Sequence, residues 1–292
     1  MLKGSIVALV TPFDKHNEVD EEALRRLINW HIKNKTDAIL VCGTTGESPT
    51  LSYAEHKRVI DVAVTEVKGR VPVIAGAGSN CTEESLDLAT HAKKAGADAI
   101  LVITPYYNKP TQEGMYLHYK TIADKAAIPL IIYNVPGRTG INILPETIAR
   151  LYHDCKNIVG VKEASSMMEQ ITKLMSLVDS KFLLFSGSDE INIPIMSVGG
   201  VGAISVLANV APKATHDMLD SFLKGDIKKA RKLQLEYFDL IKALFIESNP
   251  IPVKTALGMM GLIEPNLRLP LCPMSENDQA KLKDALKRYG LI

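Results

Sequence analysis

"DAILVITP" (residues 98–105) sets an unbroken apolar run between an aspartate and a Thr-Pro stop. A strand with one wet face alternates apolar and polar residues. A continuous run suits a parallel strand covered on both faces. Seven more runs of this kind lie on either side: "SIVALVTPF" (5–13), "DAILVCG" (37–43), "PVIAGAG" (72–78), "PLIIYNV" (129–135), "IVGVKEA" (158–164), "FLLFSGS" (182–188) and "GAISVLANV" (202–210). Segments of helical period separate them. "DEEALRRLINWHIKN" (20–34) opens on Asp20 as N-cap and places Leu24, Leu27 and Ile28 on one face. "TEESLDLATHAKKAGAD" (82–98) opens on Thr82 as cap and stops at Gly96.

Strands alternating with helices predict a parallel sheet with right-handed crossovers, which place the helices outside. Eight such units fit an α/β fold of the (β/α)8 TIM barrel type, usually ~250 residues long. An open doubly wound sheet is the alternative, but no GxGxxG opens the first helix. Beyond residue 211 the pattern is wholly helical (212–224, 226–247, 250–261, 276–289), punctuated by Pro250, Pro252, Pro265, Pro270 and Pro273. The expected division is a catalytic barrel over 1–224 and a helical extension over 225–292 packed on it.

A hydrophobic share of 46% and a charged share of 23% are those of a soluble globular chain. With 34 basic against 33 acidic side chains, the chain lacks the basic excess of a general nucleic-acid surface. No apolar run is long enough to cross a membrane. "MLKGSIVALVTPFD" reaches Pro12 and Asp14 without a signal-peptide cleavage pattern and reads as a first strand. Cys42, Cys81, Cys155 and Cys272 show no CxxC spacing. They are expected to be free thiols of a cytoplasmic protein, not a disulfide framework or zinc site.

In such barrels the chemistry sits where strands end and the following loops begin. There the chain carries "GTTGES" (43–48), "TPYYN" (104–108), "YNVPGRTG" (133–140) and "SGSDE" (186–190), and the sixth run holds Lys162. Burial disfavours the charged form of an amine, and a neutral amine attacks carbonyl carbon. An edge lysine whose stem packs while its head reaches water fits the octapeptide equally well. Thr44, Thr45, Tyr107, Tyr133 and Arg138 share the predicted rim. Each is ordinary alone: a glycine-bracketed turn, a buried strand tyrosine, a loop charge. Together they make a candidate site.

The segments "GTTGES", "TPYYN", "YNVPGRTG", "GVKEAS" and "NPIPVK" (249–254) resemble the signatures of the dihydrodipicolinate synthase family, pyruvate-dependent class I aldolases related to N-acetylneuraminate lyase. They fall in family order over essentially the whole chain. The resemblance implies condensation of pyruvate with L-aspartate 4-semialdehyde through a Schiff base on Lys162. Tyr133, Thr44 and Tyr107 would relay protons, with Tyr107 supplied by a neighbouring subunit of a homotetramer built as a dimer of dimers. Thr45 and Ile204 would hold pyruvate, and Arg138 the carboxylate of the aldehyde substrate. No metal or organic cofactor is implied, because the lysine itself serves as electron sink. The family also implies feedback by L-lysine at Pro49, His56, Asn80, Glu84 and Tyr106, although Tyr53 stands where some relatives carry histidine. Three rivals remain at this point: a sister aldolase cleaving a sugar acid, a silent barrel that only binds a small acid, and a metal-dependent aldolase.

Overall fold

The computed structural model describes residues 2–292. The apolar runs become β1 (Gly4–Ala8), β2 (Ala38–Val41), β3 (Val73–Gly76), β4 (Ala99–Ile103), β5 (Leu130–Asn134), β6 (Ile158–Glu163), β7 (Leu183–Ser186) and β8 (Gly202–Ser205). Each is parallel to the next, and β8 returns to β1, with Ile204 opposite Ile6, to close the barrel. The strands are shorter than the runs, because the last residues of each run form the rim. Ile6, Leu40, Ile74, Leu101, Ile131 and Phe185 fill the interior. Val7, Ile39, Val73, Ile100 and Ile132 face outward into the helix layer, against residues such as Leu24, Leu27 and Ile28. Both faces are dry, so neither alternates with polar residues. Each such side chain contributes about 1.5–3 kcal/mol by leaving water.

β6 departs from regular pairing in a way that decides which way its lysine points. Leu130 faces Ile158, but Ile131 faces Gly160, so Val159 is an extra residue. Ile158 and Val161 both belong to the outer core although three positions separate them. Strict alternation from Ile158 would turn Lys162 outward. A one-residue bulge reverses the parity of everything after it. Lys162 therefore lies opposite Tyr133 on one side and Phe185 on the other, both barrel-interior residues. Gly160 makes the bulge possible, since a Cβ there would lie 2.0 Å from the Leu183 carbonyl oxygen.

Asp20 caps the helix Glu21–Lys33 as expected, accepting from the Ala23 N–H. Thr82 does not act as a cap. The helix Thr82–Ala95 has Cys81 at its N-cap, and the Thr82 hydroxyl pairs instead with His118 Nδ1 at 2.9 Å. Gly96 ends that helix at φ +95°. The single helix expected over 226–247 is two, Ile227–Glu236 and Phe238–Ala243. The chain turns at Tyr237, whose ring packs against Tyr289 of the final helix, Glu276–Arg288, with centroids 5.1 Å apart. Pro212–Leu223 is the helix that follows β8, and Ile251–Met259 belongs to the helical tail. Among the described residues no helix is long and apolar enough to cross a membrane. All four cysteines are free, with Cys42 and Cys155 buried.

Candidate active site

Among the described residues two lysines are buried, and their surroundings are opposite. Lys254, in the helix Ile251–Met259, is fully enclosed with Glu47 Oε1 at 2.6 Å from its Nζ. The Phe13 ring lies 4.1 Å below that nitrogen, and burial pulls its pKa down to about 8 against the pull of Glu47. Lys162 is 6% exposed, and its Nζ sits 4.3 Å from the centroid of the Tyr133 ring. It forms no ion pair among the described residues. Lys254 is a strut; Lys162 is an unpaired amine beside a phenol. On the opposite face of the same strand pair, Glu163 accepts from Asn134 Nδ2 at 3.1 and 3.2 Å and from the Ser165 N–H at 2.8 Å. Burial raises the Glu163 pKa. The Asn134 bonds lock β5 to β6 one residue beyond Tyr133 and Lys162.

The turn after β2 supplies the hydroxyls. The Thr11 hydroxyl donates to the Gly46 carbonyl at 2.7 Å, and Glu47 holds a left-handed φ of +51°. That conformation is uncommon outside glycine and must be held by its surroundings. Here the tail holds it. Besides Lys254, the Arg268 backbone N–H donates to Glu47 Oε2 at 3.2 Å. Thr45, 3% exposed, accepts from Asn249 Nδ2 at 3.0 Å. Arg138 follows Pro136 and Gly137 in the short helix after β5, and its guanidinium donates to the Asn249 carbonyl at 2.9 Å. Ile204, 1% exposed, lines the interior on β8.

Thr44 and Arg138 border a cavity of about 370 Å³ that also touches Pro49, His56, Glu84 and Tyr106. An adjoining chamber of about 40 Å³ reaches Tyr133 and shares Thr44 with the larger one. Thr44 thus lines both spaces, as do Ser48, Gly78 and Ile103. Tyr107 borders neither: it is 89% exposed at φ +70°, and the isolated chain does not bring it to Lys162. His56 commits Nε2 to the Gly76 carbonyl at 2.7 Å, and burial lowers its pKa. Glu84 accepts from Ser79 and Tyr53, which hold its pKa down. The Tyr53 hydroxyl is pushed up to about 12 by burial and by Glu84. Asn80 donates to the Tyr106 carbonyl at 3.2 Å and does not border the cavity.

The sequence matches the Dihydrodipicolinate synthetase family over residues 1–289. The chain belongs to that family. A 4-hydroxy-tetrahydrodipicolinate synthase of Geobacter sulfurreducens is 55% identical over 292 residues, covering 100% of both chains. The dihydrodipicolinate synthase of Aquifex aeolicus superposes with a TM-score of 0.98 at 49% identity, covering 99% of each chain. The enzyme of Cyanidioschyzon merolae, solved with lysine bound, gives a TM-score of 0.96 at 40% identity, covering 99% of each chain.

In this member of the dihydrodipicolinate synthetase family, sequence reading assigned no role to three residues of the site's support, Glu47, Asn249 and Lys254, although all lie in the signature segments "GTTGES" and "NPIPVK". The signal that singled out Lys162, a lysine inside an apolar run, is equally present in "NPIPVKTAL" (249–257). Asn249 offers no such signal. Its importance comes from a contact 204 residues away in the chain.

Proposed function

We propose that Lys162 is the amine through which this chain performs its reaction. That reaction condenses pyruvate with L-aspartate 4-semialdehyde to 4-hydroxy-tetrahydrodipicolinate, the first committed step of diaminopimelate and lysine biosynthesis. The chain is a lyase of the class I aldolase type. The Lys162 amine adds to the pyruvate ketone, and loss of water leaves a protonated imine. That imine draws electrons from the methyl carbon, whose proton passes to a neighbouring base, giving an enamine whose carbon attacks the aldehyde. The amine of the second substrate then displaces Lys162 and closes the ring.

Each proton needs a carrier near the imine. Tyr133 fills that role, with Thr44 leading outward and Tyr107 of a neighbouring subunit completing the relay. Thr45 and Ile204 hold pyruvate. Arg138 grips the second carboxylate, and a guanidinium does so with paired charge-assisted bonds. The observation that carries the reading is the bulge that turns Lys162 inward beside Tyr133. Alanine at position 162 is expected to abolish both turnover and the borohydride-trapped pyruvate adduct while the fold survives. An adduct formed at normal rate in that variant would overturn the assignment.

The strong exposure of Tyr107 supports assembly, because it leaves the ring open to a second copy, and a homotetramer built from dimers fits the relay. A cytoplasmic location agrees with four unpaired cysteines. We place a lysine effector at Pro49, His56, Asn80, Glu84 and Tyr106. Its support is the cavity that joins most of these residues to Thr44 and Arg138, together with the lysine-bound Cyanidioschyzon merolae relative.

A further inference from the structure

Asn249 lies outside the barrel strands, yet it meets both residues assigned to substrate carboxylates. Its side-chain amide donates to the Thr45 hydroxyl oxygen at 3.0 Å, and its carbonyl accepts from Arg138 at 2.9 Å. The residue is 5% exposed, and its Oδ1 is buried without a hydrogen-bond partner. A buried acceptor left unsatisfied is costly and calls for an explanation beyond packing.

A threonine hydroxyl has one proton and two lone pairs. With a lone pair occupied by Asn249 Nδ2, the proton remains free to point elsewhere. We propose that Asn249 is a positioning residue: its amide orients the Thr45 hydroxyl as a donor toward the pyruvate carboxylate. Its backbone carbonyl holds Arg138 over the same opening, so the helical tail sets the geometry of both carboxylate sites. Lys254 and Arg268 reinforce this from beneath, since both bind Glu47, two residues after Thr45. The inference rests on the reading of Thr45 as the pyruvate-carboxylate residue.

The test compares pyruvate with pyruvamide, which keeps the ketone and has no carboxylate. Borohydride trapping on Lys162 is measured against the concentration of each in the full-length enzyme. In Asn249→Leu, half-saturation by pyruvate should rise roughly tenfold while that for pyruvamide stays within about twofold. Turnover at saturating pyruvate should fall by a smaller factor than half-saturation rises. In a Thr45→Val background, Asn249→Leu should add nothing further. Should Asn249→Leu fold poorly, Asn249→Ser repeats the comparison. Equal rises for both ligands, or effects of the two substitutions that multiply, would overturn the inference. If Thr45→Val alone leaves pyruvate unaffected, the Thr45 assignment fails and takes this inference with it. If Thr45→Val weakens pyruvate and Asn249→Leu does not, only the role of Asn249 fails.

Discussion

Replacing Lys254 by methionine would remove one half of a pair in which both side chains are fully enclosed. Methionine matches the stem in volume, so the main loss is electrostatic. Glu47 would keep only the Arg268 backbone N–H, at 3.2 Å, as partner for a buried carboxylate. Breaking such a pair from one side costs about 3–5 kcal/mol. At roughly 2 °C per kcal/mol for a chain of this size, the thermal midpoint should fall by about 6–10 °C. Because Glu47 is in the turn that carries Thr44 and Thr45, the same variant should bind pyruvate less tightly. Adding Glu47→Gln removes the orphaned charge and should recover more than half of the lost stability. The pH dependence has a definite sign. The folded-state pKa of Lys254, about 8, lies below the ordinary lysine value of 10.5. Between these values the unfolded chain binds the extra proton, so this group's contribution to stability rises with pH by up to about 1.4 kcal/mol per unit. The stability difference between wild type and Lys254→Met should therefore widen from pH 8 to pH 10. Denaturation at several pH values measures both effects. A loss under about 1 kcal/mol, or a double variant as unstable as the single one, would refute the reasoning.

Arg138→Ala should raise the KM for aspartate semialdehyde by the ~1.5–3 kcal/mol of a lost charge-assisted bond and leave pyruvate nearly unchanged. Equal damage to both substrates in steady-state kinetics counts against the assignment. Gly160→Ala places a methyl group against the Leu183 carbonyl and should disturb the bulge. Overpacking of this kind costs about 1–3 kcal/mol, and turnover should fall out of proportion to the loss in thermal midpoint because Lys162 is re-aimed. Full turnover in a folded Gly160→Ala enzyme would show that the bulge is incidental. Millimolar L-lysine should inhibit partially, and Glu84→Thr should weaken that inhibition. A titration that leaves the rate unchanged would remove the effector reading.

The eight strands were readable because each buries both faces and so forms an unbroken apolar run. For the same reason the direction of Lys162 was not readable. A run without alternation has no parity, and the bulge at Val159 depends on the approach of Leu183 from another strand. Local signals succeeded where the physics is local: Asp20 caps its helix and Gly96 ends one in the left-handed region. They failed at Thr82, whose hydroxyl finds His118 from the neighbouring helix, and at Tyr237, where a contact with Tyr289 accompanies a turn that composition does not mark. The site shows the same division. Thr44, Thr45, Tyr133 and Arg138 follow from rim segments. The ties from Asn249 and Lys254 join distant parts of the chain and become visible only when the tail is folded against the barrel.

The central claim is that Lys162, and not the other buried lysine, is the reactive amine. Peptide mapping of the enzyme after treatment with pyruvate and borohydride tests it most directly. One reduced pyruvate per chain on the peptide containing Lys162, with the peptide containing Lys254 unmodified, is the predicted result. An adduct on Lys254, or no adduct on Lys162 in an active enzyme, would contradict the account.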